Sequence, residues 1–326
     1  MRIVYRYLPT LSLIAMAACL PLVLNPRGNA LRVAATALLF AAVAQAWNIV
    51  GGLASQISLG HAAFFGIGAY TSTILYLQYS LSPWVGMVAG ALLAILAAGL
   101  LSVPTFSLKG HYFALATLAF AEVMRVIANS WVSLTGGPVG LTIPFGGSNP
   151  LLFQFRSTAA YYWVILTVLV AICSVFYFMS RGKMGYRLRA IRENEDAAEV
   201  SGIDTFRVKL WSAMISAGLT ACCGTVFAQF TFFFDPDSIF HMSGISIRMA
   251  MIAIIGGIGT LSGPVIGALF LIPLEEISTA FLSSSAAGVA QLVFGLILIV
   301  AILIQPQGIV ATWPGLMQRI HFRRSH

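Results

Sequence analysis

Arg181-Gly-Lys183-Met-Gly185-Tyr-Arg187-Leu-Arg189-Ala-Ile-Arg192-Glu193-Asn-Glu195-Asp196-Ala197-Ala198-Glu199-Val-Ser-Gly202-Ile-Asp204-Thr-Phe-Arg207-Val-Lys209 is the one long charged stretch in a chain of 326 residues. It holds seven of the 18 Lys+Arg and five of the 10 Asp+Glu. Soluble proteins carry about 25% charged residues. This chain carries 9%, is 59% hydrophobic and has a mean hydropathy of +0.91. That shortfall decides the class: an all-α, polytopic integral membrane protein in which 181–209 is the segment that must meet water.

Working outward, apolar segments of about 20 residues fall at 8–24, 31–50, 57–79, 84–106, 111–130, 160–180, 210–231, 243–258, 263–282 and 286–305. They predict about ten transmembrane helices in a single domain, 1–326. Arg2, Arg6, Arg319, Arg323 and Arg324 cluster at the two ends, and the central loop is basic by two charges. By the positive-inside rule both termini and the loop are expected in the cytoplasm. Arg27 and Arg32 then lie outside, against the rule. The net charge of +8 is thereby accounted for by topology and does not mark nucleic-acid binding. Residues 8–24 could pass for a signal peptide with cleavage near Gly28-Asn29-Ala30, but the many later spans favour a retained first helix. Cys19, Cys173, Cys222 and Cys223 lie in apolar segments without a metal or redox spacing.

Inside the loop the pattern predicts a helix from about Tyr186 to Ser201, closed by Gly202. Ala190, Asn194, Ala197, Ala198 and Ser201 share one face, with Arg192, Glu195, Asp196 and Glu199 towards the other. A small-residue face suits insertion into another protein's groove; an ordinary solvated helix whose alanines serve propensity is the plainer reading.

Two stretches read as interrupted helices in comparable places of two halves, about 31–130 and 210–305. They are Gly51-Gly-Leu-Ala-Ser-Gln-Ile-Ser58-Leu-Gly60-His61 with its continuation to Tyr70, and Gly256-Gly257-Ile-Gly259-Thr-Leu-Ser-Gly263-Pro264-Val-Ile-Gly267. Matched interruptions of this kind point to a transport pathway. Glycines every fourth residue equally suit close helix packing. Packing is preferred for the second stretch; Ser58 and His61 tilt the first towards a pathway. Glu122 and Arg125, about 16–21 Å into their span from its start at His111 at 1.5 Å per residue, are spaced to pair on one face. A structural ion pair is the first reading and contact with a zwitterionic substrate the second. Arg248, Glu275 and Glu276 have no assignable partner.

No G-x-x-x-x-G-K-[S/T], G-x-S-x-G or H-E-x-x-H occurs. The sequence shows no visible means of catalysis or ATP hydrolysis, so the energy for any powered transport is expected from another subunit.

Asp196-Ala197-Ala198-x-x-x-Gly202 resembles the Glu-Ala-Ala-x-x-x-Gly element of ABC-transporter permeases, with Asp for Glu. The longer run Gly185 to Ile203 resembles the branched-chain amino acid permeases of bacterial importers, in particular the M-type member of each permease pair. Ser58-Leu-Gly-His61-Ala-Ala-Phe-Phe-Gly-Ile-Gly-Ala-Tyr70, Leu134-Thr-Gly-Gly137, Ile255 to Ala268 and Pro306-Gln-Gly308 are further likenesses, covering about 45–310. The resemblance implies a non-catalytic subunit of the inner membrane. Its coupling element would be Arg189, Arg192, Asp196, Ala197, Ala198 and Gly202, docking on an ATPase. It also implies a homologous permease partner, two ATP-binding cassette subunits that bind the ATP, and a periplasmic binding protein delivering the substrate. Ser58, His61, Glu122 and Arg125 are the candidate pathway residues. Relatives of this type also serve urea, amides and aromatic compounds, and a stand-alone secondary transporter or channel is the alternative class.

Overall fold

The computed structural model describes residues 16–21, 28–105 and 111–282, with 292, 295–296, 299, 303 and 308–310 beyond them. Among the described residues the long helices are α1 (Asn29–Asn48), α2 (His61–Tyr79), α3 (Pro83–Thr105), α4 (His111–Ser130) and α5 (Thr158–Arg181). The charged loop forms α6 (Lys183–Glu193) and α7 (Glu195–Val200). After it come α8 (Thr205–Thr231), α9 (Arg248–Gly256) and α10 (Gly263–Leu282). α1 runs on as a wider π turn over Ile49–Leu53, and α9 is preceded by another over Met242–Ile247.

Seven helices among the described residues are long and apolar enough to cross a membrane. The sequence predicts about ten. Two of those ten, 8–24 and 286–305, lie largely outside the described residues. A third, α2, is a helix of 19 residues but is not among the seven; His61 and its Gly, Thr, Ser and Gln residues dilute its apolar character.

α1 is the axis of the bundle. From Ala35 to Asn48 almost every side chain is buried, with no polar stripe to turn outward, which is how an all-round apolar helix must sit. It packs against α5, α8, α9 and α10. Its alanines let those neighbours approach closely, the usual means of association where lipid and core are equally apolar. The second dense seam joins α2, α3 and α8. There Thr225 Oγ1 donates to Gly68 O at 3.0 Å, and Phe64, Ala94, Ala98, Ala217 and Ala221 form one cluster. At the second glycine stretch a Cβ on Gly256 would stand 1.8 Å from Gly263 O, and one on Gly267 2.0 Å from Ile252 O. Close packing of α9 on α10 is therefore what those glycines serve.

α3 and α4 lie at the rim, with Val88, Leu92, Leu96, Leu100, Val123 and Val126 uncovered by this chain. Residues 131–157 cross the end of the bundle remote from the charged loop. Their only strand, β1 (Leu141–Thr142), pairs antiparallel with β2 (Phe233–Phe234).

Candidate functional site

The charged loop is two helices, where its sequence predicts one. Asn194 breaks them: its backbone is extended (φ −160°, ψ 111°) and its Oδ1 accepts from Ala197 N at 3.0 Å. Asparagine is among the best N-capping residues, and here that preference overrides the helical run of its neighbours. The far end of α7 meets expectation. Gly202 sits at φ +83°, its N–H reaches Glu199 O, and Ile203 N reaches Ala198 O. These two bonds form the Schellman closure, which favours glycine because φ is positive.

The break also re-aims the small-residue face. Ala198 is 4% exposed and packs with Leu188 and Ile191 of the loop against Ile49, Leu53, Phe176, Met179 and Val208 of the bundle. It faces inward, whereas the unbroken helix would have presented it to a partner. Ala190 is half-buried in the same cluster. Glu195 and Glu199, expected on a solvated side, tie α7 to the first turns of α8. Glu195 pairs with Lys209 Nζ, and Thr205 Oγ1 donates to Glu199, each at 2.5 Å. Left outward are Ala197, Val200 and Ser201, with Val200 91% exposed. Arg189 donates to the carbonyls of Ser180 and Gly185 and stacks over Tyr186, so it holds the loop's own entry.

Arg192 connects the loop to the bundle. Its Nη1 donates to Gly52 O at 3.1 Å. Gly52 lies in the π turn that ends the first half-helix, and there the two interrupted stretches meet. Asn48, fully buried, donates from Nδ2 to Thr260 O (2.9 Å) and accepts from Gly259 N (2.7 Å). One amide thus satisfies a donor and an acceptor that the second break exposes, as buried backbone groups require. Sequence reading missed Asn48, although two amides, Gln45 and Asn48, just before Gly51-Gly52 in an alanine-rich span were a legible signal.

Ser58 and His61 sit in a closed polar knot. His61, 2% exposed, has Nδ1 3.0 Å from Ser58 Oγ and Nε2 2.8 Å from Ser216 Oγ. Ser216 donates to Ala46 O at 2.7 Å, so its oxygen accepts from His61 Nε2–H, leaving Nδ1 to accept from Ser58. Trp47 Nε1 donates to Ser58 O, and Leu59 N to Thr117 Oγ1 of α4. The knot pins the restart of the chain at α2 to α1, α4 and α8.

Glu122 and Arg125 do pair: Arg125 Nη2 stands 2.5 Å from Glu122 Oε1, and Nε reaches both carboxylate oxygens. A third member, Asp237, joins them through Arg125 Nη1 at 2.5 Å and Asn129 Nδ2 at 3.2 Å. Asp237 stands 112 residues from Arg125, beyond any helical spacing, so no local pattern announces it. Arg248 likewise finds Glu275 across α9 and α10. Glu122 lies five residues beyond Thr117 on α4, more than a turn, so the knot and the ion cluster are separate sites.

In the cluster Arg125 is the hub, and Arg125→Gln leaves two carboxylates facing each other. Uptake is expected to fall further in Arg125→Gln than in Glu122→Gln. The double variant should be milder than the two losses combined, and additive losses in that cycle would mean that the pair is not coupled.

Comparison with known proteins follows the same lines. The chain is 27% identical over 325 residues to the "High-affinity branched-chain amino acid transport system permease protein LivM" of Escherichia coli K12, covering 92% of this chain and 73% of that one. It is 27% identical to the corresponding LivH protein of Salmonella typhimurium, over 83% of this chain and 91% of that one. A more distant relative, the "Nucleoside ABC transporter permease protein NupC" of Lactococcus lactis, is 22% identical over 60% of this chain and 64% of its own length. No solved structure matches. The family described as "Branched-chain amino acid transport system / permease component" matches residues 29–302, which include the capped loop, both interrupted stretches and the ion cluster, and the chain belongs to it.

Proposed function

We propose that this chain is the membrane-spanning permease subunit of an ATP-driven importer for branched-chain or related hydrophobic amino acids. Family membership supports the transport role. The relatives' names favour branched-chain amino acids, and the nucleoside permease among them keeps other small solutes open. The full count of about ten spans, the matching of the two interrupted halves and the cytoplasmic placement of both termini and the loop are part of this reading. A homologous permease, two ATP-binding cassette subunits and a periplasmic binding protein complete it. ATP would be bound and hydrolysed in the cassette subunits. Glu122, Arg125 and Asp237, which this chain leaves partly uncovered, would face the pathway. Ser58 and His61 would hold the first break beside it.

The observation that carries the reading is α7. A six-residue helix, capped at both ends and tied back by Glu195 and Glu199, holds Val200 almost wholly outside the fold. An isolated helix so short has no stability of its own, so the bundle maintains it, and its apolar outward side chain suits a partner's groove. Movement of α7 would reach the two breaks through Arg192.

The test is Val200→Asp. Burying a valine is worth about 1.5–3 kcal/mol, so an ATPase that seats Val200 should bind at least about tenfold more weakly. The variant should insert normally, lose copurifying ATPase and lose uptake. Ala198→Trp should instead damage the chain itself, because Ala198 packs on its own core. Normal uptake and ATPase recovery with Val200→Asp would remove the mechanical basis of the reading.

A further inference from the structure

At the end of the bundle remote from the charged loop lies a cavity of about 290 Å³ that no step above uses. Its place follows from α8, which leaves the loop at Thr205 and reaches the cavity with Phe227, Phe230 and Thr231, about 40 Å along the helix at 1.5 Å per residue. The first turns of α1 and the π turn before α9 supply the other walls.

Two guanidinium groups line it, Arg32 and Arg248. Arg248 spends part of its fork on Glu275 and lies over the Phe40 ring, 4.9 Å from its centre. Arg32 forms no ion pair with any described residue. The lining hydroxyls have already committed their protons: Thr36 to Arg32 O, Thr231 to Phe227 O and Ser238 to Asp235 O. The side-chain donors left for a ligand are therefore the guanidiniums. Glu275 neutralises Arg248 from outside the lining, and among the described residues no carboxylate lines the cavity to neutralise Arg32. The remaining wall is largely apolar, built on Phe40, Phe227 and Phe230.

Guanidinium matches the planar, bidentate geometry of carboxylate and phosphate oxygens. Aromatic walls favour an apolar body on the same molecule. The volume sits at the lower end of small-molecule pockets, which begin near 300 Å³, so it suits a head or a small acid rather than a whole lipid. On the proposed topology Arg32 is also one of two residues that break the positive-inside pattern, and a bound anion offsets the cost of a cation there.

We propose that this cavity binds the oxyanion of a small amphiphile, a carboxylate or a phosphate carried on an apolar body. The lining residues named are all of this chain, and the proposal stands independently of which partner drives transport.

Full-length protein in nanodiscs of phosphatidylcholine doped with phosphatidylglycerol provides the test. Retained phosphatidylglycerol is read by native mass spectrometry, and leucine is titrated separately by equilibrium binding. Losing one charge-assisted contact should weaken the occupant about tenfold in Arg32→Gln, with Arg32→Lys retaining most of the binding. Thr231→Phe, which fills the cavity with both arginines in place, should exclude the ligand, and it serves if Arg32→Gln misfolds. A phosphatidylglycerol signal lost in these variants identifies a lipid headgroup; a leucine signal lost identifies a carboxylate. If neither probe distinguishes the wild type from Arg32→Gln or Thr231→Phe, or if phosphatidylcholine falls equally, the site does not exist.

Discussion

Gly224→Val is expected to abolish folded protein in the membrane, and Gly68→Val to do the same. At Gly224 an added Cβ would stand 2.0 Å from Phe65 O, and at Gly68 2.0 Å from Ala221 O. Ordinary contact begins at 3.4 Å, so α2 and α8 would have to separate by more than an ångström. The opposing atoms are backbone and cannot rotate away. Separation would also break the bond from Thr225 Oγ1 to Gly68 O. Overpacking alone typically costs about 1–3 kcal/mol, and in a membrane no exclusion from water restores the contact, since lipid is as apolar as the neighbouring helix. Gly99, whose added Cβ would meet nothing within 4 Å, is the control, and Gly99→Val should be nearly silent. Size-exclusion profiles and melting temperatures of the three variants check this. A Gly224→Val protein that melts with the wild type would mean that the seam is not close-packed.

Asn48→Leu is expected to leave the chain inserted and still bound to the proposed ATPase subunits while uptake falls at least tenfold. The substitution keeps the branched shape of the side chain but leaves Gly259 N–H and Thr260 C=O without their partners. Each buried polar group left unpaired costs about 1–3 kcal/mol, enough to shift the resting arrangement of the two breaks. Asn48→Asp keeps the acceptor for Gly259 N–H and loses the donor, so it should also impair uptake. Gly52→Ala should reproduce the defect from the other side, because its Cβ would stand 2.0 Å from Asn48 Oδ1. Uptake normalised to membrane level, with ATPase copurification alongside, separates lost coupling from lost protein. Normal uptake in Asn48→Leu would show that the two breaks need no tie between them.

The membrane class and the closure at Gly202 were legible in the sequence. Each rests on composition or on residues within one turn of one another, where local physics decides. The pairing of Glu122 with Arg125 was legible for the same reason, being three residues apart on one helix. Asp237 beside Arg125, Glu275 beside Arg248 and Asn48 between the two breaks were not, because each joins segments far apart in the chain. The inward turn of Ala198 was hidden by a single residue, Asn194, whose capping preference outweighed the helical pattern around it. In a soluble helix apolar periodicity marks the buried face. In this bundle the rim of α3 is as apolar as the axis of α1. Which side chains meet lipid and which meet protein was therefore decided only by the packing of the tertiary structure.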